Sequence, residues 1–301
     1  MASFTAKDVQ ALREQTGVGM MDCKNALSEA DGNFEKAVEL LREKGLAAAA
    51  KKAGRIAAEG MVTALVIDGA GAIIEVNSET DFVAKNESFR AFVELSAKTV
   101  VEEAPADVDS LLKCKAPSGT IEDELREKIL TIGENIKIRR FERYEGVLTP
   151  YIHGGGTHAV IVKFNTGADT ASREEFALFA KDIAMQIAAA NPRYVDKSEV
   201  PSDEIEKERE ILLAQALNEG KPQNIAEKMV AGRVNKYYKD IVLLEQPFVK
   251  DDKMSVAQYV ANTAKSLSAD IAVTAFTRYE KGEGLEKRNE NFAEEIANMQ
   301  K

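Results

Sequence analysis

The sequence predicts an α+β fold: a small helical domain followed by a core built twice from a three-stranded antiparallel sheet with helices on one face. Two observations lead there. Apolar residues near the N-terminus recur with a helical period between glycine-containing breaks, whereas beyond them short apolar runs flank turn residues as in β-hairpins. The second observation is internal repetition: past residue 58 the chain nearly repeats its own pattern.

Taken in order, Thr5 is a suitable N-cap for a helix running to about Gln15, and Thr16-Gly17-Val18-Gly19 breaks it. A second helix is expected from about Met20 to Ala30, ended by Asp31-Gly32. Asn33 caps a third, in which Phe34, Ala37, Val38 and Leu41 keep helical spacing up to Gly45. The first domain, 1–45, resembles the ubiquitin-associated type of three-helix bundle, and the Lys- and Ala-rich stretch 46–58 reads as a helical connector. Met20 and Met21 are neighbours and cannot both face so small a core. One is expected to pack inward; the other, with Val18, offers a soft exposed contact, unless both fill gaps.

In the core, Met61–Ile67 and Ala72–Val76 flank Asp68-Gly69-Ala70-Gly71, and Val147–Ile152 and Ala159–Phe164 flank His153-Gly154-Gly155-Gly156. Phe89 and Phe92 after the first hairpin match Phe176 and Phe179 after the second. Ile121, Leu125, Ile129, Ile132 and Ile136 correspond to Val256, Val260, Ala264, Leu267 and Ile271 at one constant offset, and Phe141-Glu142-Arg143-Tyr144-Glu145 answers Phe276-Thr277-Arg278-Tyr279-Glu280. The expected units are 59–145 and 146–282. The second is longer, and its excess, between Pro192 and Lys253, reads as an antiparallel helical hairpin of coiled-coil type over about 195–245. Ser202 is its expected first cap; Ile205, Leu212, Leu213, Ala216 and Leu217 face a return helix carrying Ile225, Met229, Val230, Val234, Tyr237 and Ile241. That stripe is either consumed internally or also faces a partner. A C-terminal module, 283–301, carries a helix from Glu290 to Met299.

Composition narrows the function. With 45% apolar and 30% charged residues the chain is a globular protein, and it has no run approaching the roughly 18 apolar residues of a membrane span. Two cysteines, Cys23 and Cys114, fit a reducing cytoplasm rather than a disulfide framework. A net charge of −10 disfavours nucleic-acid binding by phosphate neutralisation. The basic run Lys137–Arg143 reads as a strand, because Ile136, Ile138 and Phe141 interleave with it. No glycine-rich phosphate loop precedes a Lys-Ser or Lys-Thr pair, so direct nucleotide binding is not expected. His153 and His158 are the only histidines, too few for a metal site without carboxylates from elsewhere. An RNA-binding adaptor using the basic run and a hydrolase built on the His153 loop are the competing readings.

The two copies part after their hairpins. Asn165-Thr166-Gly167-Ala168-Asp169-Thr170 is an ordinary polar loop, whereas the equivalent stretch holds Thr80-Asp81-Phe82-Val83-Ala84-Lys85-Asn86. Phe89 and Phe92 already anchor the helix that follows, so Phe82 is either an interface anchor or a plug for its own domain. This run is similar to the signature of the elongation factor Ts family. So are Thr16-Gly17-Val18-Gly19-Met20-Met21-Asp22-Cys23-Lys24, Ile132-Gly133-Glu134-Asn135-Ile136, Ile225-Ala226-Glu227-Lys228-Met229-Val230 and Gly282-Glu283-Gly284-Leu285-Glu286-Lys287, all in the family's order.

The resemblance implies a non-catalytic protein without cofactor or metal that binds elongation factor Tu as a heterodimer and speeds its loss of GDP. By that analogy Asp81 and Phe82 intrude near the GTPase's magnesium site, positioned by Thr80 and Val83. Arg13, Val18, Met20 and Met21 grip the GTPase domain, His153 and Gly154 meet another part of the partner, and the C-terminal helix returns to the GTPase. The helical hairpin is a further candidate for dimerisation.

Overall fold

A computed structural model describes residues 4–286 of the chain; the expected helix Glu290–Met299 lies outside them. Among the described residues the order is α1 (Ala6–Thr16), α2 (Met20–Glu29), α3 (Phe34–Lys52), β1 (Glu59–Ile67), β2 (Ala70–Ser78), α4 (Glu87–Glu103), α5 (Val108–Lys113), β3 (Lys115–Ala116), β4 (Gly119–Thr120), α6 (Ile121–Ile132) and β5 (Lys137–Glu145). There follow β6 (Val147–His153), β7 (His158–Asn165), α7 (Ala168–Ala171), α8 (Glu174–Ala190), α9 (Ser202–Asn218), α10 (Gln223–Ile241), β8 (Pro247–Phe248), β9 (Asp251–Ser255), α11 (Val256–Leu267) and β10 (Ala272–Glu280). The mixed helix-and-sheet class with N-terminal helices and antiparallel sheets is as the sequence predicts.

Thr5 and Asp8 close a capping box at the start of α1, and Asn33 accepts from the Lys36 amide at the start of α3. Leu12, Cys23, Ala26, Leu27, Ala37 and Leu41 fill the bundle core. The third helix does not stop at Gly45: α3 runs on to Lys52. A glycine inside a helix costs about 1 kcal/mol, and α3 carries it where it passes α6, whose Leu130 packs into the bundle cluster. The bundle and most of the connector are therefore one continuous rod.

Two three-stranded antiparallel sheets, ordered β1-β2-β5 and β10-β7-β6, share a topology in which the second hairpin strand is central. Their inner faces pack on each other through Val62, Ala64, Ile73, Ala159, Ile161 and Tyr279. Their outer faces carry helices: Ile74 and Val76 meet Phe89, Phe92 and Val93 of α4, while Val160, Val162 and Phe164 meet Phe176, Phe179 and Ile183 of α8. The result is four layers, helix–sheet–sheet–helix. It explains why β2 and β7 read as nearly continuous apolar runs, since a central strand buried on both faces has no polar side to show.

Capping boxes at Thr120 and Ser255 start α6 and α11 at the positions the constant offset relates. Between the helices of each half lies a short ribbon, β3-β4 or β8-β9, that spacing did not disclose. The arm α9–α10 begins with Pro201, not Ser202, in the cap position, and makes no side-chain cap bond. Its cluster of Ile205, Val230, Val234, Ile241 and Val242 is internal, while Ile211, Leu217 and Ile225 remain exposed.

Candidate partner-binding site

The connection from β2 to α4 is rigid although it holds a single turn of 3-10 helix, Val83–Lys85. The Lys85 amide donates to the Phe82 carbonyl at 3.1 Å and the Asn86 amide to the Val83 carbonyl at 2.9 Å. Asn86 then caps α4, its Oδ1 accepting from the amides of Ser88 (2.9 Å) and Phe89 (3.2 Å). Neighbouring side chains on so tight a turn point apart. Val83 drops into the α4 cluster and is 5% exposed, whereas Phe82 projects outward and is 75% exposed. The plug for this domain edge is Val83, and Phe82 is free. Asp81 is exposed beside it, and the Lys85 ammonium lies 6.0 Å from the ring centroid, the outer limit of a cation–π contact.

Thr80 is held from across the fold. Its hydroxyl donates to Glu134 Oε1 at 2.6 Å and its amide to Glu134 Oε2 at 2.9 Å, the oxygen that also accepts from the Glu79 amide at 3.0 Å. In return Glu79 Oε1 accepts from the Asn135 amide at 2.7 Å and from Arg55 at 3.3 Å. Gly133, at φ 86°, makes the left-handed cap of α6 that turns Glu134 toward the loop. Residue spacing carries no signal for this clasp, because its two halves lie more than 50 positions apart.

The bundle presents a second patch. Met20 and Met21 are 44% and 63% exposed, and Arg13 on α1 is exposed as well. Here two expectations fail: neither methionine packs inward, and Val18, 2% exposed, is not a surface contact. The reason is local. Val18 stands just before the Gly19 cap of α2 and staples against Cys23, so the mouth of the core is filled before Met20 is reached. Both methionines are left on the solvent side of the first turn.

The His153–His158 turn forms the third patch. His153 and Gly154 are exposed, the Tyr151 hydroxyl lies 3.1 Å from His153 Nδ1, and the Thr157 hydroxyl donates to the His153 carbonyl at 3.1 Å. Gly156 is buried against β1, where its carbonyl accepts from the Val62 amide at 2.9 Å and a Cβ would stand 3.0 Å from Met61. His158 instead faces Glu280 at 3.4 Å. No group of three or more His, Cys, Asp or Glu residues among those described is placed to hold a metal ion.

The basic run forms the strand β5, with one departure from alternation. A bulge at Arg139 brings both Arg139 (3.1 Å) and Arg140 (2.7 Å) onto the fully buried Glu75. Glu75 also accepts from the Gly282 amide at 2.8 Å, and Arg143 donates to Glu145 and the Val101 carbonyl. These guanidinium groups are engaged within the fold, which removes the basis for an RNA-binding stripe at this strand. Further, no described helix is long and apolar enough to cross a membrane.

The family model described as Elongation factor TS matches residues 79–283, from the clasp to the turn after β10. Among similar curated proteins, Elongation factor Ts of Clostridioides difficile (strain 630) is 51% identical over 306 residues, covering 100% of both chains. That of Clostridium botulinum (strain Eklund 17B / Type B) is 51% identical over 300 residues, and that of Symbiobacterium thermophilum 49% over 303, each covering 98% of both chains.

Proposed function

This chain belongs to the elongation factor Ts family, and we propose that it serves translation elongation as a nucleotide-exchange factor for elongation factor Tu. In this reading it forms a heterodimer with the GDP-bound GTPase in the cytoplasm and catalyses no bond chemistry. Phe82 wedges between helices of the partner, Asp81 reaches toward its magnesium site, and GDP leaves. Thr80 and Val83 hold the wedge. Arg13, Met20 and Met21 grip the GTPase domain, and His153 with Gly154 touches it elsewhere. The exposed residues of the α9–α10 arm are available to the partner or to a second copy of the chain. The core acts as two copies of one unit, 59–145 and 146–282, a reading supported by the shared strand order and helix boundaries.

The observation that carries the proposal is the 75% exposed Phe82 ring on a loop whose backbone is otherwise tied down. The loop that offers the ring is ordered in advance, so burying the ring in a partner costs little further backbone entropy. Weakening nucleotide binding a thousandfold requires about 4 kcal/mol. Burial of one phenylalanine supplies about 1.5–3 kcal/mol, and expulsion of a divalent cation removes the largest charge holding a diphosphate. Wedge and magnesium loss together reach the required size. Linkage makes the effect reciprocal, so GDP with Mg²⁺ expels this protein to the same degree, and it cycles.

The test is release of fluorescent GDP from elongation factor Tu on adding substoichiometric full-length chain. Release accelerated with turnover is the expected result. An unaltered rate at saturating chain contradicts the function, and an unaltered stimulation by Phe82→Ala contradicts the wedge.

A further inference from the structure

We propose that Glu134 is the positioning residue of the wedge, joining the Phe82 loop, the α6–β5 turn and the end of α3 into one rigid body. The inference rests on the function proposed above and assigns a role to a residue that touches neither the partner nor the nucleotide in it.

The geometry is a reciprocal clasp. Glu134 takes three donors from 79–80, the two amides at 3.0 and 2.9 Å and the Thr80 hydroxyl at 2.6 Å, while the Glu79 carboxylate takes the Asn135 amide at 2.7 Å. Each segment thus supplies the carboxylate that satisfies the other's backbone. Hydrogen bonds to an ionised acceptor are the strong ones, and four of them across one junction leave little freedom. The Thr80 carbonyl is fixed as well, accepting from the Ser78 hydroxyl at 2.9 Å. Two residues further along the chain stands Phe82.

The clasp also reaches the N-terminal rod. Arg55, three residues past the end of α3, donates to Glu79 at 3.3 Å, and its carbonyl accepts from the Asn135 side chain at 2.8 Å. Lys52, the last residue of α3, donates to the Ile129 carbonyl near the end of α6 at 3.2 Å. The helix carrying the Met20–Met21 bundle therefore ends on the same junction that aims Phe82. Force applied where the bundle grips is delivered to the wedge without slack.

Two variants of the full chain separate positioning from mere folding. Glu134→Ala removes all three acceptor contacts. Glu134→Gln keeps them in shape, since its carbonyl can accept from both amides and its NH₂ can donate to the Thr80 hydroxyl, which accepts as readily as it donates. The maximal rate of GDP release from elongation factor Tu is expected to fall about tenfold for Glu134→Ala, the size of losing one charged hydrogen bond. The half-saturating concentration should move much less, because the other contacts persist. Amide exchange across 79–86 should speed up in Glu134→Ala, and Glu134→Gln should restore both readouts. A maximal rate unchanged in Glu134→Ala, while Phe82→Ala abolishes stimulation, overturns the proposal and leaves the function standing. Loss of rate with full protection of 79–86 also overturns it. If the wild-type chain fails to stimulate release at all, the functional reading falls and this role falls with it.

Discussion

After β2 the chain uses residues 79–86 to reach α4, and after β7 it uses 166–173 to reach α8. The two connections leave matching strands and enter helices of the same 17-residue length. Both helices bury a phenylalanine pair, Phe89 with Phe92 and Phe176 with Phe179, against the central strand of their sheet. Between those fixed ends they do opposite things. The second connection winds into α7, buries Thr170 and exposes no large apolar side chain. The first spends Val83 on the core and leaves Phe82 in solvent. Anchoring the helix is a structural duty that the paired phenylalanines discharge in both halves, so the extra ring in the first half is surplus to folding. Surplus apolar surface on a braced loop supports the proposal that Phe82 is an interface anchor.

Phe89→Ala and Phe176→Ala should each cost about 3–5 kcal/mol, as truncation of a buried aromatic does, and should lower the thermal midpoint alike. A large disparity would show that the two outer layers are not equivalent supports. Phe82→Ala should instead leave the stability within about 0.5 kcal/mol of wild type, since its side chain is exposed. Its penalty belongs in exchange stimulation, reduced about tenfold or more from a lost burial of about 1.5–3 kcal/mol.

A smaller effect tests the seam between the sheets. Glu142 accepts from the hydroxyls of Tyr144 (2.9 Å), Thr277 (2.5 Å) and Tyr279 (3.3 Å), so the one polar difference between the two Phe-x-Arg-Tyr-Glu strands supplies a shared acceptor where they meet, beside the Tyr144–Thr277 hydroxyl pair and Arg140 over the Tyr279 ring. Desolvation, the nearby Glu142 charge and its hydrogen bond hold the buried Tyr279 phenol neutral far above its ordinary range. Glu142→Thr makes the two strands alike and removes the shared acceptor. It should cost about 1 kcal/mol, read as a lower urea midpoint with unchanged slope.

The smallest effect concerns the arm, which the first half lacks. Hydrogen bonds from Tyr237 (2.7 Å) and Tyr194 (2.8 Å), with the Arg193 charge, hold the Glu204 carboxyl below its ordinary value of 4.5. A folded pKa below the unfolded one stabilises the root of the arm above that value and ceases to do so as pH falls through the folded pKa. Protection of the α9 and α10 amides, taken relative to the free-chain exchange rate at each pH, should therefore fall below pH 4.5 before that of α4 and α6.

Much of this was legible in the sequence for definite reasons. The constant offset between Ile121–Ile136 and Val256–Ile271 gives α6 and α11 the same boundaries, because their caps and apolar faces are local signals. The hairpins and the arm were legible on the same grounds. The bulge at Arg139 shows only as an irregular step, Ile138 to Phe141, in an otherwise alternating run, too weak a signal to place it. The burial of Val18 and exposure of both methionines depend on which residue reaches a small core first, which periodicity does not rank. Face-to-face packing of the sheets shows in the sequence only as the near-continuous apolar runs of β2 and β7, which do not say what covers them, and the Glu134 clasp joins distant segments whose residue types alone carry no trace of it.

The most direct measurement uses Phe82→Trp, which gives a chain without tryptophan a single one. Its emission and acrylamide quenching would be followed alone and with elongation factor Tu, the partner's own signal subtracted. An indole as quenchable as the free chromophore is expected in the isolated chain, then shielded and blue-shifted in the complex. An indole already shielded in the isolated chain, or one still fully quenchable in the complex, would contradict it.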